Sequence, residues 1–571
     1  MRSLCVVLVV LGLAGCDDDS TPAADFASAD LSVSGADLAS GDLAMPDLSA
    51  PDLATPDLAT PDLALPDLAM PDLKTCTPNA FIQCLATDAI YCNGTGDGTT
   101  PVACGAGGCI GGGSCGQCTP SSTSCAAGVE TDCDQYGRAT TRNCGLGCNG
   151  AIACVTCVAG TTSCNGAADM LMTCNADGIS QTVTACSLGC LAGNGDPDAG
   201  TLEFSRCAAL TPSNGLTLDC NNKTSTVDLI VNANTTIDPT AGTIGGVAPA
   251  SGVFSTVVQA SNGLTIGVFH LRTLTVNSGF KLTVTPGANA LGLVVDGSVT
   301  INGTIDLAGH LDNAKAVATG GAGSQNVNGK GVNGGSSKLV GAGGAGHATS
   351  GADSGGPSPL GKAGGAYEAV ASPETNVPLS GGAPGGSVGG SNTSQGGGAL
   401  QLVACGTITV GAAGLANAGG SGAPQSAIAA PSGGPGGGSG GAILVEAPVV
   451  NVSGVLAAAG GGGAGGGQTA IGQGAAGNDA ASDFACTLPG STGGLAVGTG
   501  GLGGSGACGT NGPTTGGVGT LAAGGGGSGG GGGAGGRIRI NTKNNVNATV
   551  GASSISPKTA SNYTTGTLTL Q

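Results

Sequence analysis

The chain has 571 residues, of which 116 are Gly, and only 9% are charged, against about a quarter in ordinary globular proteins. Its formal net charge is −19, but thirteen Asp and no Lys or Arg lie between Asp17 and Leu73, so much of the acidity belongs to one segment. A chain with so few basic residues excludes nucleic acid as a partner, because phosphate binding needs clustered Lys and Arg.

The first sixteen residues predict an export signal. Arg2 precedes an apolar run at residues 4–13, which is too short to cross a bilayer. The sequence LAGC at residues 13–16 resembles the lipobox of bacterial lipoprotein signal peptides. The resemblance implies removal of residues 1–15, a diacylglycerol on the sulfur of Cys16 and a fatty acid on its amino group. Together these chains anchor a protein in a membrane. An ordinary secretory signal with a coincidental Cys is the alternative.

Residues 16–75 predict a disordered tether. An Asp-Leu pair recurs every five residues from Asp37 to Asp72, and a Pro precedes each pair from Pro46 onward. Pro breaks helices, and a Leu period of five fits neither a helix face nor a strand face. The segment is therefore expected to be an extended spacer that holds the folded part away from the membrane. Repeat expansion without a selected length is the alternative.

Eighteen Cys in residues 76–207 form three sets of six with similar spacing, which predicts disulfide modules at 76–117, 118–156 and 157–207. A module of about 40 residues cannot bury enough apolar surface to fold without cross-links. The spacing does not select one pairing scheme. The sets are Cys76, Cys84, Cys92, Cys104, Cys109 and Cys115; Cys118, Cys125, Cys133, Cys144, Cys148 and Cys154; and Cys157, Cys164, Cys174, Cys186, Cys190 and Cys207.

The repeated Cys spacing resembles small Cys-rich modules of exported bacterial lipoproteins, and this resemblance implies no single activity. Zinc binding is the alternative to disulfides, but the chain has only three His. The Cys-x2-Cys pairs fall between modules, which argues against a redox site. Residues 194–198 have some calcium-loop character but lack the Gly and Glu of an EF-hand, so a polar turn is favoured.

Residues 208–571 predict an all-β fold, a parallel β-helix with long Gly-rich insertions. Segments 290–309, 399–419 and 442–460 each contain three short strands separated by Gly, Pro or Ser. One such rung cannot fold alone and needs stacked neighbours. The alternation predicts these inward side chains: Leu291, Leu293, Val295, Val299, Ile301, Ile305 and Leu307; Leu400, Leu402, Ala404, Ile408, Val410, Leu415 and Asn417; Ile443, Val445, Ala447, Val450, Val452, Leu456 and Ala458.

Strands at residues 225–231, 271–276 and 281–285 are expected to form the first coils, and a strand from Arg537 to begin the last. Three insertions, at residues 310–398, 420–441 and 461–536, have few large apolar side chains and are expected to have no cores of their own. Turns with positive φ between the strands are expected to account for much of the Gly, and the rest of the Gly lies in these insertions. Cys486 and Cys508 are expected to pair within the last insertion, which leaves Cys220 and Cys405 as a second pair.

The coil pattern resembles the repeats of filamentous-haemagglutinin-type adhesins, and the composition resembles that of Gly-rich PE-PGRS-type surface proteins. These resemblances imply a surface-exposed solenoid used for display or adhesion. No ligand-binding residue can be transferred from them.

Catalysis is not predicted. Nucleophile-elbow patterns at residues 437–441 and 526–530 are expected by chance in Gly/Ser-rich tracts, and they lack the required strand and helix. Carbohydrate-cleaving β-helices need clustered carboxylates. The rungs offer only Asp296, Asp306 and Glu446 as outward acids, with Asp306 aligned to Ala416, and the three His are scattered along the chain.

The sequence thus predicts a lipid-anchored structural or adhesin-like protein of the cell envelope, without catalytic residues, metal or cofactor. The outer membrane or cell surface is favoured over the inner membrane, with a surface glycan or protein as a possible class of partner. The alternative is a carbohydrate-binding or carbohydrate-cleaving β-helix, for which a groove of aromatic side chains is hard to build from no Trp, four Tyr and seven Phe.

Overall fold

The computed structural model describes residues 76–571 except 106–107, 111, 114, 194–203, 312–317, 320, 322–329, 335–338, 357–359, 367–375, 390–392, 427–430, 469–471, 487–490 and 521–524. The chain divides into two compact units, Met1–Lys74 and Thr75–Gln571. The export signal, Cys16 and the tether lie outside the described residues. Regular structure in the described residues is β-strand apart from one 3-10 turn, Ser213–Gly215. None of the helical structure seen there is long and apolar enough to cross a membrane.

Each Cys-rich module is built on a three-stranded antiparallel sheet. Two short strand pairs, Cys148–Asn149 with Ala153–Cys154 and Cys190–Leu191 with Arg206–Cys207, close the second and third modules. The three sheets consist of Phe81–Leu85, Asp88–Cys92 and Thr99–Ala103; Thr123–Ala126, Val129–Cys133 and Ala139–Asn143; and Thr162–Cys164, Met170–Cys174 and Gln181–Ala185.

The three modules share one disulfide connectivity, in which the first Cys pairs with the third, the second with the fifth and the fourth with the sixth. The sequence left this pairing open, and its repetition shows that the modules are copies of one unit. The pairs are Cys76–Cys92, Cys84–Cys109 and Cys104–Cys115; Cys118–Cys133, Cys125–Cys148 and Cys144–Cys154; Cys157–Cys174, Cys164–Cys190 and Cys186–Cys207.

We expect loss of the Cys125–Cys148 bridge to unfold its module. The Cys125→Ser/Cys148→Ser variant should lose about 2–4 kcal/mol of folding free energy. The core of the module is too small to keep it folded after such a loss. Trypsin cleavage after Arg138 and Arg142 should then accelerate strongly.

The matched control for this variant is Cys486→Ser/Cys508→Ser. The two bridges close loops of nearly equal length, with sequence separations of 23 and 22. Loop-closure entropy is therefore similar, but the second loop lies among the hydrogen-bonded Gly segments described below. The control should keep its trypsin resistance, and equal cleavage of both variants would contradict the expected dependence of the module on its bridge.

Residues 225–571 contain three stacked parallel sheets, the arrangement of a parallel β-helix. In order across each sheet, sheet A has strands Phe254–Val258, Thr265–Leu271, Ala290–Val295, Ala399–Ala404, Ala442–Glu446, Arg537–Thr542 and Tyr563–Thr567; sheet B has Asp228–Val231, Thr273–Val276, Val299–Ile301, Thr407–Val410, Val449–Val452 and Ala548–Val550; and sheet C has Thr243–Ile244, Thr235–Asp238, Lys281–Val284, Thr304–Asp306, Leu415–Asn417, Val455–Ala457 and Ile555–Ser556. Only Phe254–Val258 and Thr243–Ile244 pair antiparallel with their neighbours.

The inward columns of aliphatic side chains form the main core. Leu291, Leu400, Ile443 and Ile538 are aligned partners on successive strands of sheet A, and each is at most 1% exposed. Nineteen of the twenty-one predicted inward residues belong to this buried cluster. The predicted stacking of rungs is therefore confirmed at the level of the core.

The two exceptions are Leu415 and Asn417, for which the predicted direction is wrong. Ile305 pairs with Ala416, and Ala416 pairs with Leu456. All three belong to the buried cluster, so Ala416 is the residue of this strand that points inward. The turn that precedes this strand has two more residues than the matching turn after Ile301. An even insertion preserves the side-chain alternation, so Leu415 stays outside despite its size.

Sheet A is also covered on its outer side. The covering segment is residues 208–220, whose Leu210, Leu216 and Leu218 pack with Val403 and Leu444 in a second buried cluster. The strand Leu210–Thr211 pairs with Thr569–Leu570 near the end of the chain. Cys220 is bonded to Cys405 on the third coil, counted from the strand Thr265–Leu271. Burial on both faces explains why the central strands of sheet A, Ala290–Val295, Ala399–Ala404 and Ala442–Glu446, are apolar at almost every position.

The three Gly-rich insertions all leave after a strand of sheet C and return to sheet A. Their described parts form a lattice of hydrogen-bonded segments, the Gly lattice. The amides of Gly527, Gly530 and Gly533 donate to the carbonyls of residues 467, 464 and 461, so partners change every three residues. Three residues per turn is the period of the polyproline II helix. Segment 527–536 bonds in this way to six others: 339–345, 348–355, 434–440, 458–467, 501–507 and 514–517.

The lattice corrects the expectation that the insertions have no cores of their own. They have a core that is held mainly by backbone hydrogen bonds and includes two small apolar clusters: Ala459, Ala480, Ala481 and Cys508; Ala345 and Ala383. Positive φ does not explain its Gly content, since no Gly in residues 526–536 has positive φ. Close approach does: a Cβ added to Gly530 would lie 1.9 Å from the carbonyl oxygen of Pro435, and one on Gly533 would lie 2.0 Å from that of Gly438. Collagen requires Gly for the same steric reason.

Candidate functional site

The acids predicted to face outward from the rungs are all buried. Asp296, Asp306 and Glu446 are 5%, 4% and 2% exposed. Each has a different environment, because the covering segment and the Gly lattice meet the solenoid at different points. Their surroundings decide whether they hold the fold together or face a ligand.

Glu446 links the covering segment to the solenoid. Its carboxylate accepts hydrogen bonds from the hydroxyl of Ser213 at 2.7 Å, the amide group of Gln401 at 2.7 Å and that of Asn541 at 3.1 Å. The backbone N–H of Ser213 also donates to it, at 3.1 Å. With its acceptor sites filled from protein groups, this carboxylate is structural.

Asp306 lies in a charged cluster that the sequence analysis did not predict. His310 Nε2 lies 3.2 Å from one Asp306 oxygen, and Lys281 Nζ lies 2.9 Å from the same oxygen. On the other side, His310 Nδ1 lies 3.7 Å from Asp479, which also accepts the backbone N–H of Gly422 at 2.8 Å. The register places Asp306 beside Asn417, and the predicted alignment with Ala416 is wrong. His310, Gly422 and Asp479 belong to the first, second and third insertions, so the cluster joins all three insertions to sheet C.

Charges within this cluster shift both titrations. Hydrogen bonds to Asp306 and then to Asp479 raise the pKa of His310 to about 10, against the opposing effect of burial. Burial acts to raise the pKa of Asp306, but the hydrogen bond and charge of His310, followed by those of Lys281, lower it to about 2. The imidazolium form of His310 is therefore favoured at neutral pH. This form suits a structural ion pair and not a general base.

We expect His310→Gln to lower stability in a pH-dependent way. The folded state holds the His310 proton more tightly, so its contribution is complete below the ordinary pKa of 6.5 and is lost as pH rises toward about 10. For Asp306 the contribution is complete above pH 3.8 and is lost as pH falls toward about 2. The free energies of unfolding of wild type and His310→Gln, measured by denaturant titration, should therefore differ most between pH 4 and 6.5. The difference should be about 1 kcal/mol after allowance for solvent screening.

His270→Gln supplies the matched control for that series. Burial lowers the pKa of His270, against a smaller opposing effect of Asp296, so its dependence has the opposite sign. The wild type should lose stability relative to this variant as pH falls below 6.5. A His310→Gln difference that stayed constant from pH 5 to 10 would contradict the assigned cluster.

A polar cleft of about 440 Å³ lies beside the first coils, between the covering segment and sheet A. Its lining includes His270, Asp296 and Asp219. Asp296 accepts the backbone N–H of Ser225 at 2.6 Å, and His270 Nε2 lies 3.0 Å from the Ser255 hydroxyl. The sequence offered no signal for this cleft, because strands, the covering segment and loop 251–253 supply its walls from separate stretches of chain.

Among the described residues, one group of three Cys has sulfurs close enough together for a zinc site. The sulfurs of Cys125, Cys144 and Cys154 lie within 4.8 Å of one another. All three belong to disulfides, so they supply no thiolate ligand.

His347 is buried in the Gly lattice, where its Nδ1 lies 2.6 Å from the Gly440 carbonyl oxygen. Burial lowers the pKa of His347 to about 3.

Two sequence-based hypotheses fall outside the described residues: lipidation of Cys16 and the calcium loop at residues 194–198. The elbow patterns at 437–441 and 526–530 lie within segments of the Gly lattice, and their hydroxyls, Ser439 and Ser528, are buried. All twenty-two Cys from Cys76 to Cys508 are paired in the structure, including Cys220–Cys405 and Cys486–Cys508. This many disulfides indicates an extracytoplasmic location.

Comparisons of the chain with protein-family models, with curated proteins and with solved structures find no match. Function must therefore be argued from the geometry of this chain alone.

Proposed function

We propose that this protein is a lipid-anchored structural or adhesin-like component of the cell envelope that acts without catalysis. The observation that carries the proposal is the Gly lattice on the side of the solenoid. Among the described residues its interior consists mainly of backbone groups bonded to one another, so the lattice supplies stiffness and surface. A rigid body joined to a lipid-bearing terminus by a long spacer suits display at the cell surface.

Three exposed aliphatic side chains on neighbouring segments of the lattice support an adhesive role. Leu495, Leu502 and Val518 are 70%, 54% and 70% exposed. They lie on neighbouring segments, since the amide of Gly503 donates to Gly494 and that of Gly517 donates to Leu502. Clustered exposed aliphatic side chains are typical of interaction surfaces, whereas single ones are not.

The anchor is tested with Cys16→Ala in cells that express the full chain. Wild type should incorporate labelled palmitate, stay in the membrane fraction and be removed from intact cells by added protease. The variant should lose the label and leave the membrane fraction. Retention of both properties would refute the lipid anchor, and resistance of the anchored protein to external protease would refute surface display.

Adhesion is tested with the triple variant Leu495→Ser/Leu502→Ser/Val518→Ser. Attachment of expressing cells to abiotic surfaces and to neighbouring cells should fall several-fold. A matched control changes three equally exposed aliphatic residues that lie apart, Ile152, Val247 and Val546, which are 65%, 68% and 77% exposed. Equal attachment by wild type and both variants would refute the adhesive role.

A carbohydrate-related role is the second candidate, and the polar cleft favours it. A cleavage role would need two carboxylates acting on one bond. Among the described residues the cleft holds Asp296 and Asp219, of which Asp219 accepts the backbone amides of Asn221 and Asn222 and stabilises its own turn. Binding is therefore the better supported part of this alternative.

A further inference from the structure

We propose that the cleft at His270 and Asp296 binds a small polar molecule that carries a primary ammonium group, with a protonated hexosamine as the simplest representative. This site goes beyond surface display and does not depend on the lipid anchor. Its volume, about 440 Å³, lies in the range of ordinary small-molecule sites.

Charge selects the ammonium group. Asp296 is 5% exposed and lines the cleft, and the backbone N–H of Ser225 donates to one of its two carboxylate oxygens, Oδ2. The described lining residues include Asp219 as a second carboxylate but no Lys or Arg. A buried carboxylate is costly without a cationic partner. A ligand that brings its own ammonium group supplies that partner.

His270 leaves this charge uncompensated at neutral pH. Burial lowers its pKa, against the smaller effect of Asp296, so the neutral imidazole is favoured. Its Nε2 faces the Ser255 hydroxyl at 3.0 Å, which orients the ring within the wall. The cleft therefore keeps a net negative charge at neutral pH.

The rest of the lining selects a hydroxyl-rich ligand. Leu218 and Val253 add two apolar side chains, and the described lining includes no Phe, Tyr or Trp. The small polar side chains are those of Thr217, Asn222, Thr224, Ser225, Thr226 and Ser251. Such walls exchange hydrogen bonds with sugar hydroxyls but offer no flat surface for an aromatic ligand. A polyol with one positive charge matches both features.

The cleft is also held in shape before any ligand arrives. Cys220, between the lining residues Asp219 and Asn222, is bonded to Cys405 of the third coil. The amides of Asn221 and Asn222 are fixed by Asp219, and that of Ser225 is fixed by Asp296. A preformed wall lowers the ordering cost of binding.

The test is calorimetric titration of the full chain at pH 7 with glucosamine, with glucose as the neutral probe. Glucosamine should bind, and glucose should bind at least about tenfold more weakly, because a charge-assisted contact is lost. Asp296→Asn should weaken glucosamine binding by about the same factor. Asp238→Asn, on sheet C outside the cleft, is the matched control and should leave binding unchanged.

A second variant guards against loss of fold in Asp296→Asn. Thr224→Trp changes an exposed residue of the rim, keeps both carboxylates and fills the cleft, so it should abolish binding. Equal binding of glucosamine and glucose would overturn the ammonium assignment. Undiminished glucosamine binding by Thr224→Trp, with its disulfides and unfolding midpoint intact, would overturn the site itself.

Discussion

Replacing Gly530 by Ala is expected to destabilise the Gly lattice by about 3 kcal/mol or more, although only one methyl group is added. The new Cβ would lie 1.9 Å from the carbonyl oxygen of Pro435, a distance at which backbone must move. Segment 527–536 is bonded to six neighbours, so a displacement stretches hydrogen bonds on several sides. Overpacking alone costs about 1–3 kcal/mol, and strained backbone bonds add to it.

Gly365→Ala is the matched control. Gly365 lies in another segment of the lattice, its φ is not in the left-handed region and a Cβ there meets nothing within 4 Å. This substitution should be neutral or slightly stabilising, because Ala has less freedom in the unfolded chain. Hydrogen exchange of the amides in residues 434–440 and 458–467 should accelerate only in the Gly530→Ala protein. Equal protection in both variants would show that the lattice is not close-packed.

The solenoid core was predictable because it obeys a local rule. Alternating aliphatic residues specify inward columns within each short segment, and three similar segments give the register between coils. The prediction failed at Leu415 and Asn417, because alternation gives the side-chain direction only when the length of the preceding turn is counted correctly.

The Gly lattice was not predictable by the same reasoning, since most of its stabilising contacts join backbone groups and not side chains. The segments bonded to residues 527–536 come from positions as distant as residue 339. Composition shows only that large side chains are missing, which is equally true of a flexible linker. What distinguishes the two is the saturation of backbone hydrogen bonds, a property of the assembled lattice.

Charged clusters were hidden for a related reason. Asp306 and His310 are four residues apart, but the end of a strand lies between them and gives no helical spacing. Asp479 belongs to the same cluster although it lies 168 residues beyond Leu311, whose backbone N–H donates a hydrogen bond to the Asp479 carboxylate. Sequence reasoning identified Asp296, Asp306 and Glu446 as outward acids because it had no means to place the elements that cover them.

Glu446→Ala is expected to lower the stability of the covering segment and sheet A by about 3 kcal/mol. The substitution leaves donors from Ser213, Gln401 and Asn541 without their acceptor in a region closed to water. Each buried donor without a partner costs about 1–3 kcal/mol, and relaxation of the Ser213 loop recovers part of the sum. The loss should appear in the denaturation midpoint of the solenoid.

Glu446→Gln and Asn451→Ala separate the roles of hydrogen bonding and charge in this cluster. Gln keeps one acceptor oxygen and the same shape, and the Ser213 hydroxyl can turn to accept from its new amide, so the loss should be smaller than with Ala. Asn451 lies on sheet B of the same coil, where its side chain alternates outward, and its replacement should cost less than about 0.5 kcal/mol. If Glu446→Ala were as mild as Asn451→Ala, the Glu446 hydrogen bonds would contribute little to holding the covering segment. Its apolar contacts and the Cys220–Cys405 bridge would then hold it on sheet A, and reduction of that bridge would leave the apolar contacts as the main attachment.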